Sequence, residues 1–357
     1  MHVPKLNEWG TLSFYFDSKS SHRGRLFKCW AKKYEMGVSA VYKTFLSQNE
    51  RLDEVDALRQ KGSWVYLVNP TREERERVSQ AAGIPQDFLE YPLDEEESSR
   101  IEFSDEGILV IIKIPVTRGE AYDTIPLGII ITDDLILTVC LEDGMLLQEL
   151  GRIRGFYTFK RTRFLLHTLY VTSMLYLRYL RQIDRRSETI RCELQRSTRN
   201  EELIRLLDLG KSLVYFTTSL KANQIVMEKL LRSHLLLEPG LEVQTRFIKM
   251  YEEDRELLED VITENKQAIE MGDIYTTILN STMDAFASVI SNNLNIVMKF
   301  LTVFTIVLAI PTMVASFYGM NVPLPGQDSP LAFIGILASS GLLAFLGVMF
   351  LRKKGMF

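Results

Sequence analysis

The chain has 357 residues, 46% of them hydrophobic and 25% charged, with a net charge of −4 at neutral pH. That length leaves room for two or three regions, and the mild acidity offers no electrostatic footprint for a nucleic-acid partner. The three cysteines, Cys29, Cys140 and Cys192, are dispersed and form no CxxC pair, which argues against a zinc site or a disulfide framework and suits a reducing compartment.

Residues 1–37 read as a basic extension without periodicity, with Lys5, Lys19, Arg23, Arg25, Lys28, Lys32 and Lys33 against Glu8, Asp17 and Glu35. Charges stand where a signal peptide would need an apolar core, so the N-terminus is expected in the cytosol. A basic arm can touch anionic lipid. A loosely held tail is the plainer expectation, with Met36 as an alternative start.

Residues 38–158 read as a cytosolic α/β domain. Apolar, β-branched runs at Val38–Leu46, Trp64–Val68, Ile108–Ile114, Gly128–Thr132 and Leu135–Leu141 predict strands. Thr71 is placed to cap a helix whose first turn carries Glu73 and Glu74, and Gly83-Ile84-Pro85 ends it. Asp105-Glu106-Gly107 and Thr132-Asp133-Asp134 are turns.

Residues 159–298 form a helical stalk region. From 160 to 235 there is no proline and a single glycine, Gly210. After Pro239-Gly240 a second helical run goes from about Leu241 to Phe317, interrupted only by Gly272 and Pro311. At 1.5 Å per residue such a run approaches about 110 Å, too long for one compact globule, so it extends from a cytosolic body into something else.

The chain then carries a first span (299–318), a loop (319–330), a second span (331–351) and a basic tail (352–357). Phe300 to Gln327 and Leu331 to Leu351 contain no charged residue, and each run is near the length of about 20 residues that crosses a bilayer. Lys299 and Arg352-Lys353-Lys354 flank the spans while the loop lacks Lys and Arg, so both termini are expected in the cytosol. Phe317 and Tyr318 sit where aromatic anchors belong. Gly335, Ser339, Ala344 and Gly347 are small residues that allow close helix contact.

Two helices cannot enclose a polar path, so a conduit would need several chains. Asn295, Thr302, Thr305, Ala309, Thr312 and Ser316 make a weakly polar, uncharged stripe on the first span. Such a stripe suits a narrow wet pore, or hydroxyls that merely bond their own helix.

Tyr318-Gly319-Met320-Asn321 follows the first span. Gly-Met-Asn should occur by chance in about one chain of this length in fifty, and far more rarely at this place. With its context, Ile310-Pro311-Thr312-Met313-Val314-Ala315-Ser316-Phe317, it makes the chain resemble the CorA family of divalent-cation channels from about Val38 to the end.

The resemblance implies an α+β chain with an N-terminal cytosolic α/β domain, a long helical stalk and two C-terminal transmembrane helices. It implies a funnel-shaped homopentamer in the cell membrane, its partners being itself, the bilayer and divalent cations. The function implied is Mg²⁺ uptake driven by the membrane potential, with Mg²⁺ both transported and regulatory, no organic cofactor and no enzymatic activity. Gly319, Met320 and Asn321 would form the selectivity filter, with Gly319 permitting the turn at the helix end and Met320 packing to fix the loop. Asn295, Met298, Leu301, Thr305, Ala309, Thr312 and Ser316 would line the pore, with Met298 and Leu301 as its constriction. This register takes Leu301 where the polar stripe takes Thr302. Ala309 stands where relatives frequently carry a larger residue.

The family closes when cytosolic Mg²⁺ bridges acidic residues of neighbouring chains. Asp260 on the stalk matches such a position, and its counterpart is sought among Glu90, Asp94, Glu95, Glu96 and Glu97. A solvated acidic surface is the bland alternative. Two readings compete: a Zn²⁺, Co²⁺ or Ni²⁺ transporter of the same superfamily, with the intact Met320 arguing against zinc, and a non-conducting membrane-anchored sensor. Leu209-Gly210-Lys211-Ser212 resembles the end of a P-loop, but Arg205 replaces the required glycine.

Overall fold

The computed structural model describes residues 42–48, 51–55, 60–153, 156–196, 200–235, 246–320 and 331–353. Seven strands form one sheet: β1 (Tyr42–Gln48), β2 (Arg51–Glu54), β3 (Ser63–Val68), β4 (Arg100–Phe103), β5 (Ile108–Arg118), β6 (Ala121–Ile131) and β7 (Leu135–Cys140). Their order is β2-β1-β3-β7-β6-β5-β4. Only β3 and β7 run parallel among the paired neighbours.

Strand periodicity sends alternate residues to opposite faces, and here both faces are covered. Val65, Leu67, Leu109, Ile111 and Leu137 pack beneath α1 (Arg72–Ala82) and α2 (Asp87–Glu90), against Val78, Phe88 and Leu89. Their neighbours Trp64, Tyr66, Val110, Ile112 and Ile136 face the other way, onto long helices through Phe164, Leu169, Met227 and Val261. Burial on both faces is why the strands read as continuous apolar runs rather than as alternation. Trp64 is fully buried, and its indole N–H donates to Thr138 Oγ1 at 2.8 Å.

Helix α1 begins and ends on the expected signals. The Thr71 N–H donates to Glu74 Oε2 at 2.8 Å, and the Glu74 N–H to Thr71 Oγ1 at 3.3 Å. Gly83 closes the helix at φ 67°, where a Cβ would be strained.

Two strands, β2 and β4, stand where no strand is expected, and β5 and β6 are longer than the runs Ile108–Ile114 and Gly128–Thr132. Their hairpin end, Thr117–Ala121, is largely exposed, so the sheet continues there with polar residues that give no hydrophobic signal.

The remaining helices are α3 (Leu146–Leu150), α4 (Arg161–Arg196), α5 (Asn200–Leu235), α6 (Glu252–Tyr318) and α7 (Ala332–Lys353). The run from 160 to 235 is therefore a pair of helices. α4 runs alongside α6, Arg163 pairing with Asp254 and Leu180 lying near Gly272, whereas α5 runs back, with Asn265 bonding Gln224 and Gly210 near Leu279. A second core, built on Tyr176, Leu180, Leu213, Phe216, Ala268 and Leu279, extends this three-helix contact.

Candidate functional site

α6 spans 67 residues, about 100 Å at 1.5 Å per residue. Its first turn is anchored to the body. The buried Asp254 carboxylate accepts the Tyr251 N–H at 3.1 Å and the Arg163 Nε–H at 2.9 Å. Thr162 Oγ1 donates to the Lys249 carbonyl at 2.7 Å. Further on, the Asn265 amide donates to the Leu220 carbonyl (3.1 Å) and to Gln224 Oε1 (2.8 Å). Packing reaches Met283 and Phe286. Beyond it, residues 287–302 are exposed on every side, including Val289, Ile290, Leu294, Ile296, Val297 and Met298.

α7 rejoins α6 along one seam. Val303 is buried and Val307, Ile310 and Val314 half-buried on α6, opposite Ile336, Ser340, Ala344, Gly347 and Leu351. A Cβ on Gly347 would meet Ile310 Cδ1 at 3.3 Å. Of the four small residues expected in close contact, Ala344 and Gly347 lie in this seam. Gly335 faces open space and Ser339 is exposed; the buried serine is Ser340. One residue of helical rotation, about 100°, separates the two serines.

The candidate pore residues Asn295, Met298, Leu301, Thr305, Ala309, Thr312 and Ser316 are all exposed in the single chain. Helical rotation centres their stripe roughly 150° round α6 from the seam. The Thr302, Thr305 and Thr312 hydroxyls donate to the Met298, Leu301 and Leu308 carbonyls at 2.8, 2.8 and 2.9 Å. Their protons are thus held by the helix, and their oxygen lone pairs remain as acceptors.

Gly319 caps α6 at φ −84°, an ordinary helical conformation, with its N–H bonded to the Ala315 carbonyl at 3.0 Å. The expectation that glycine's backbone freedom is needed here is therefore corrected: any residue adopts that φ. The Met320 N–H reaches the Phe317 carbonyl at 3.3 Å, and its side chain is exposed. Asn321 and the rest of the loop to residue 330 lie outside the described residues, as do residues 1–37.

Asp260 is exposed on α6 and makes no ion pair among the described residues. The acidic segment after α2 is partly neutralised. Glu90 lies 3.6 Å from Arg75, Glu95 2.7 Å from Arg118, and Glu97 pairs with Arg100. Asp94 accepts the Glu96 N–H at 3.0 Å, and neither Asp94 nor Glu96 forms an ion pair among the described residues. Arg118 also engages Asp123 and Glu142, and hydrogen bonds to Glu142 and Glu95 hold its guanidinium firmly charged. Burial lowers the Lys113 pKa although Asp123, Asp94, Glu97 and Glu95 oppose it. Asp260 belongs to the layer on one face of the sheet, whereas the acidic segment follows α2 on the other. One chain does not bring them together, and no three metal-ligating side chains are grouped among the described residues.

Sequence reading missed two positioning elements, the Arg163–Asp254 pair and the Asn223 amide. Nothing local marks either. Gly210 lies within α5, so its P-loop-like neighbourhood is helix interior.

Residues 59–353 match the family model CorA, described as CorA-like Mg²⁺ transporter protein. The cobalt/magnesium transport protein CorA of Methanocaldococcus jannaschii is 30% identical over 328 residues, covering 89% of this chain and 98% of the relative. The protein of the same description from Thermotoga maritima is 22% identical over 302 residues, covering 82% of each. The complete structure of the CorA magnesium transporter from M. jannaschii aligns with a TM-score of 0.74 and 26% identity, covering 90% of this chain and 100% of that one.

Proposed function

The chain belongs to the CorA family of Mg²⁺ transporters, and from that premise we propose that it is a Mg²⁺ uptake channel driven by the membrane potential and closed by cytosolic Mg²⁺. One observation carries this reading. A single helix joins the acid-bearing body to the membrane and presents an uncharged stripe on the side away from α7. Several copies, five by family resemblance, set that stripe around an axis. The exposed Val289, Ile290, Leu294, Ile296, Val297 and Met298 favour assembly, since such apolar surface needs covering.

Mg²⁺ gives up water reluctantly. Hydroxyl and amide oxygens from Asn295, Thr305, Thr312 and Ser316 can accept hydrogen bonds from a hydrated ion without stripping it. Asn321, with Gly319 and Met320, would form the outer ring of neutral oxygens. Neutral ligands hold weakly enough for release. An inward-negative potential supplies about 2.3 kcal/mol per charge per 100 mV, hence roughly twice that for a divalent ion. Co²⁺ is a second cargo by analogy with the relatives' descriptions. For closure, Asp260 together with Asp94 and Glu96 of a neighbouring copy offers carboxylates that no ion pair among the described residues engages, the donor type that hard cations take.

The test is Mg²⁺ flux into vesicles holding the full chain under an inward-negative potential. Asn321→Ala is expected to abolish selective uptake while leaving the assembly intact. Equal flux and ion ranking in both proteins would overturn the filter.

A further inference from the structure

The acidic segment 94–97 is held in place from the sheet. The 3₁₀ turn before it, Tyr91–Leu93, buries Pro92 against β6, where a Cβ on Gly128 would overlap the proline ring. Beyond Pro92 the chain turns. The Asp94 carbonyl accepts the Glu97 N–H at 3.1 Å, and Asp94 Oδ1 accepts the Glu96 N–H at 3.0 Å. Two residues of β5 then grip Glu95. Lys113 Nζ donates to its backbone carbonyl at 2.6 Å, and the Arg118 guanidinium donates to its Oε1 at 2.7 Å. Both grips rest on fixed supports. The N–H and carbonyl of Lys113 are each bonded to Asn223 of α5 at 2.8 Å. Arg118 is oriented by Glu142 at 2.8 Å and by Asp123 at 3.1 Å. A lone surface ion pair contributes little, whereas a guanidinium shared among several carboxylates is ordered by the network. Asp94 and Glu96, on either side of Glu95, are exposed and form no ion pair among the described residues.

We propose that Lys113 and Arg118 are positioning residues for closure by Mg²⁺. Neither is a ligand. By fixing Glu95 at its backbone and at its side chain, they order the segment that presents the Asp94 and Glu96 carboxylates before the cation arrives. Mg²⁺ demands near-ideal ligand geometry. A segment ordered for only part of the time binds more weakly in proportion to that fraction. The two cations also act in the opposite sense, since positive charge beside carboxylates weakens their hold on a divalent ion. At this largely exposed segment that effect is screened by water and salt, so loss of order decides the sign. The role rests on the closure reading above, in which Asp94 and Glu96 meet Asp260 of a neighbouring copy.

The test records flux into vesicles of the full chain against internal Mg²⁺, together with hydrogen exchange at the Glu96 and Glu97 amides without the ion. Lys113→Met and Arg118→Met should each exchange faster there and keep wild-type flux at negligible internal Mg²⁺. Each should need roughly three-fold or more internal Mg²⁺ for half-closure. The control Arg186→Gln removes a cation that pairs with Glu120 on the neighbouring hairpin, and should close as the wild type does. Unchanged half-closure in both variants, a shift to lower Mg²⁺, or an equal shift in the control would each overturn the positioning role. A wild type whose flux ignores internal Mg²⁺ would instead overturn the closure reading on which the role rests.

Discussion

Gly272 of α6 and Thr217 of α5 meet so closely that a Cβ on the glycine would lie 2.7 Å from the threonine hydroxyl oxygen. That oxygen is buried without a hydrogen-bond partner among the described residues. Gly272→Ala is expected to destabilise by about 1–3 kcal/mol through overpacking. In a Thr217→Ala background the same change should become neutral or mildly stabilising, because the space is freed and alanine favours the helix by up to about 1 kcal/mol. Thermal unfolding of the four proteins measures the sign reversal.

Asn223 completes the sheet on β5 just before β4 begins. Its Oδ1 accepts the Lys113 N–H at 2.8 Å and the Ser99 hydroxyl at 2.9 Å, and its Nδ2 donates to the Lys113 carbonyl at 2.8 Å. Asn223→Ala leaves the Lys113 N–H without its acceptor, while the Tyr176 hydroxyl still donates to the Lys113 carbonyl at 3.0 Å, with an expected loss of about 1–3 kcal/mol. Hydrogen exchange at Lys113 should accelerate; protection equal to wild type would show that the amide is dispensable.

Burial and the neighbouring Arg163 guanidinium lower the His167 pKa, with Asp254 opposing. A base with a depressed folded-state pKa is protonated more readily when unfolded. Its contribution is therefore intact above the ordinary value near 6.5 and declines as pH falls from there towards the folded-state value. Between pH 7.5 and 5.5 the wild type should lose more thermal stability than His167→Gln. Parallel pH profiles would remove His167 as a source of that slope.

Ion pairing divides the candidate regulatory acids into two classes. Glu95 and Glu97 are held by Arg118 and Arg100, whereas Asp94, Glu96 and Asp260 are free of ion pairs among the described residues. Asp260→Ala, or Asp94→Asn with Glu96→Gln, should therefore keep flux running at internal Mg²⁺ that closes the wild type. Glu97→Gln should close normally. Flux recorded against internal Mg²⁺ separates the two classes, and normal closure in Asp260→Ala would remove that residue from the sensor.

Much of the fold was legible because its signals are local. Thr71 and Gly83 act within one turn, the β3 and β7 runs are apolar on both faces, and the uncharged stretches are long enough to need no tertiary context. β4 was harder to read: Arg100-Ile101-Glu102-Phe103 alternates polar and apolar residues, but over four residues only, and becomes a strand by pairing with β5. The break between α4 and α5 was not legible, since neither proline nor glycine marks it.

The sequence by itself determined the two apolar spans, their basic flanks, the Gly-Met-Asn motif and the family resemblance, all of which depend on residue type and spacing along the chain. Only the tertiary structure decided which face of α6 meets α7, that Ser340 rather than Ser339 enters the seam, and which acids Arg118 and Arg100 neutralise. Those facts depend on helix rotation and on contacts between segments far apart in sequence. A rotation of about 100° per residue changes a neighbour entirely while leaving composition and hydropathy almost untouched.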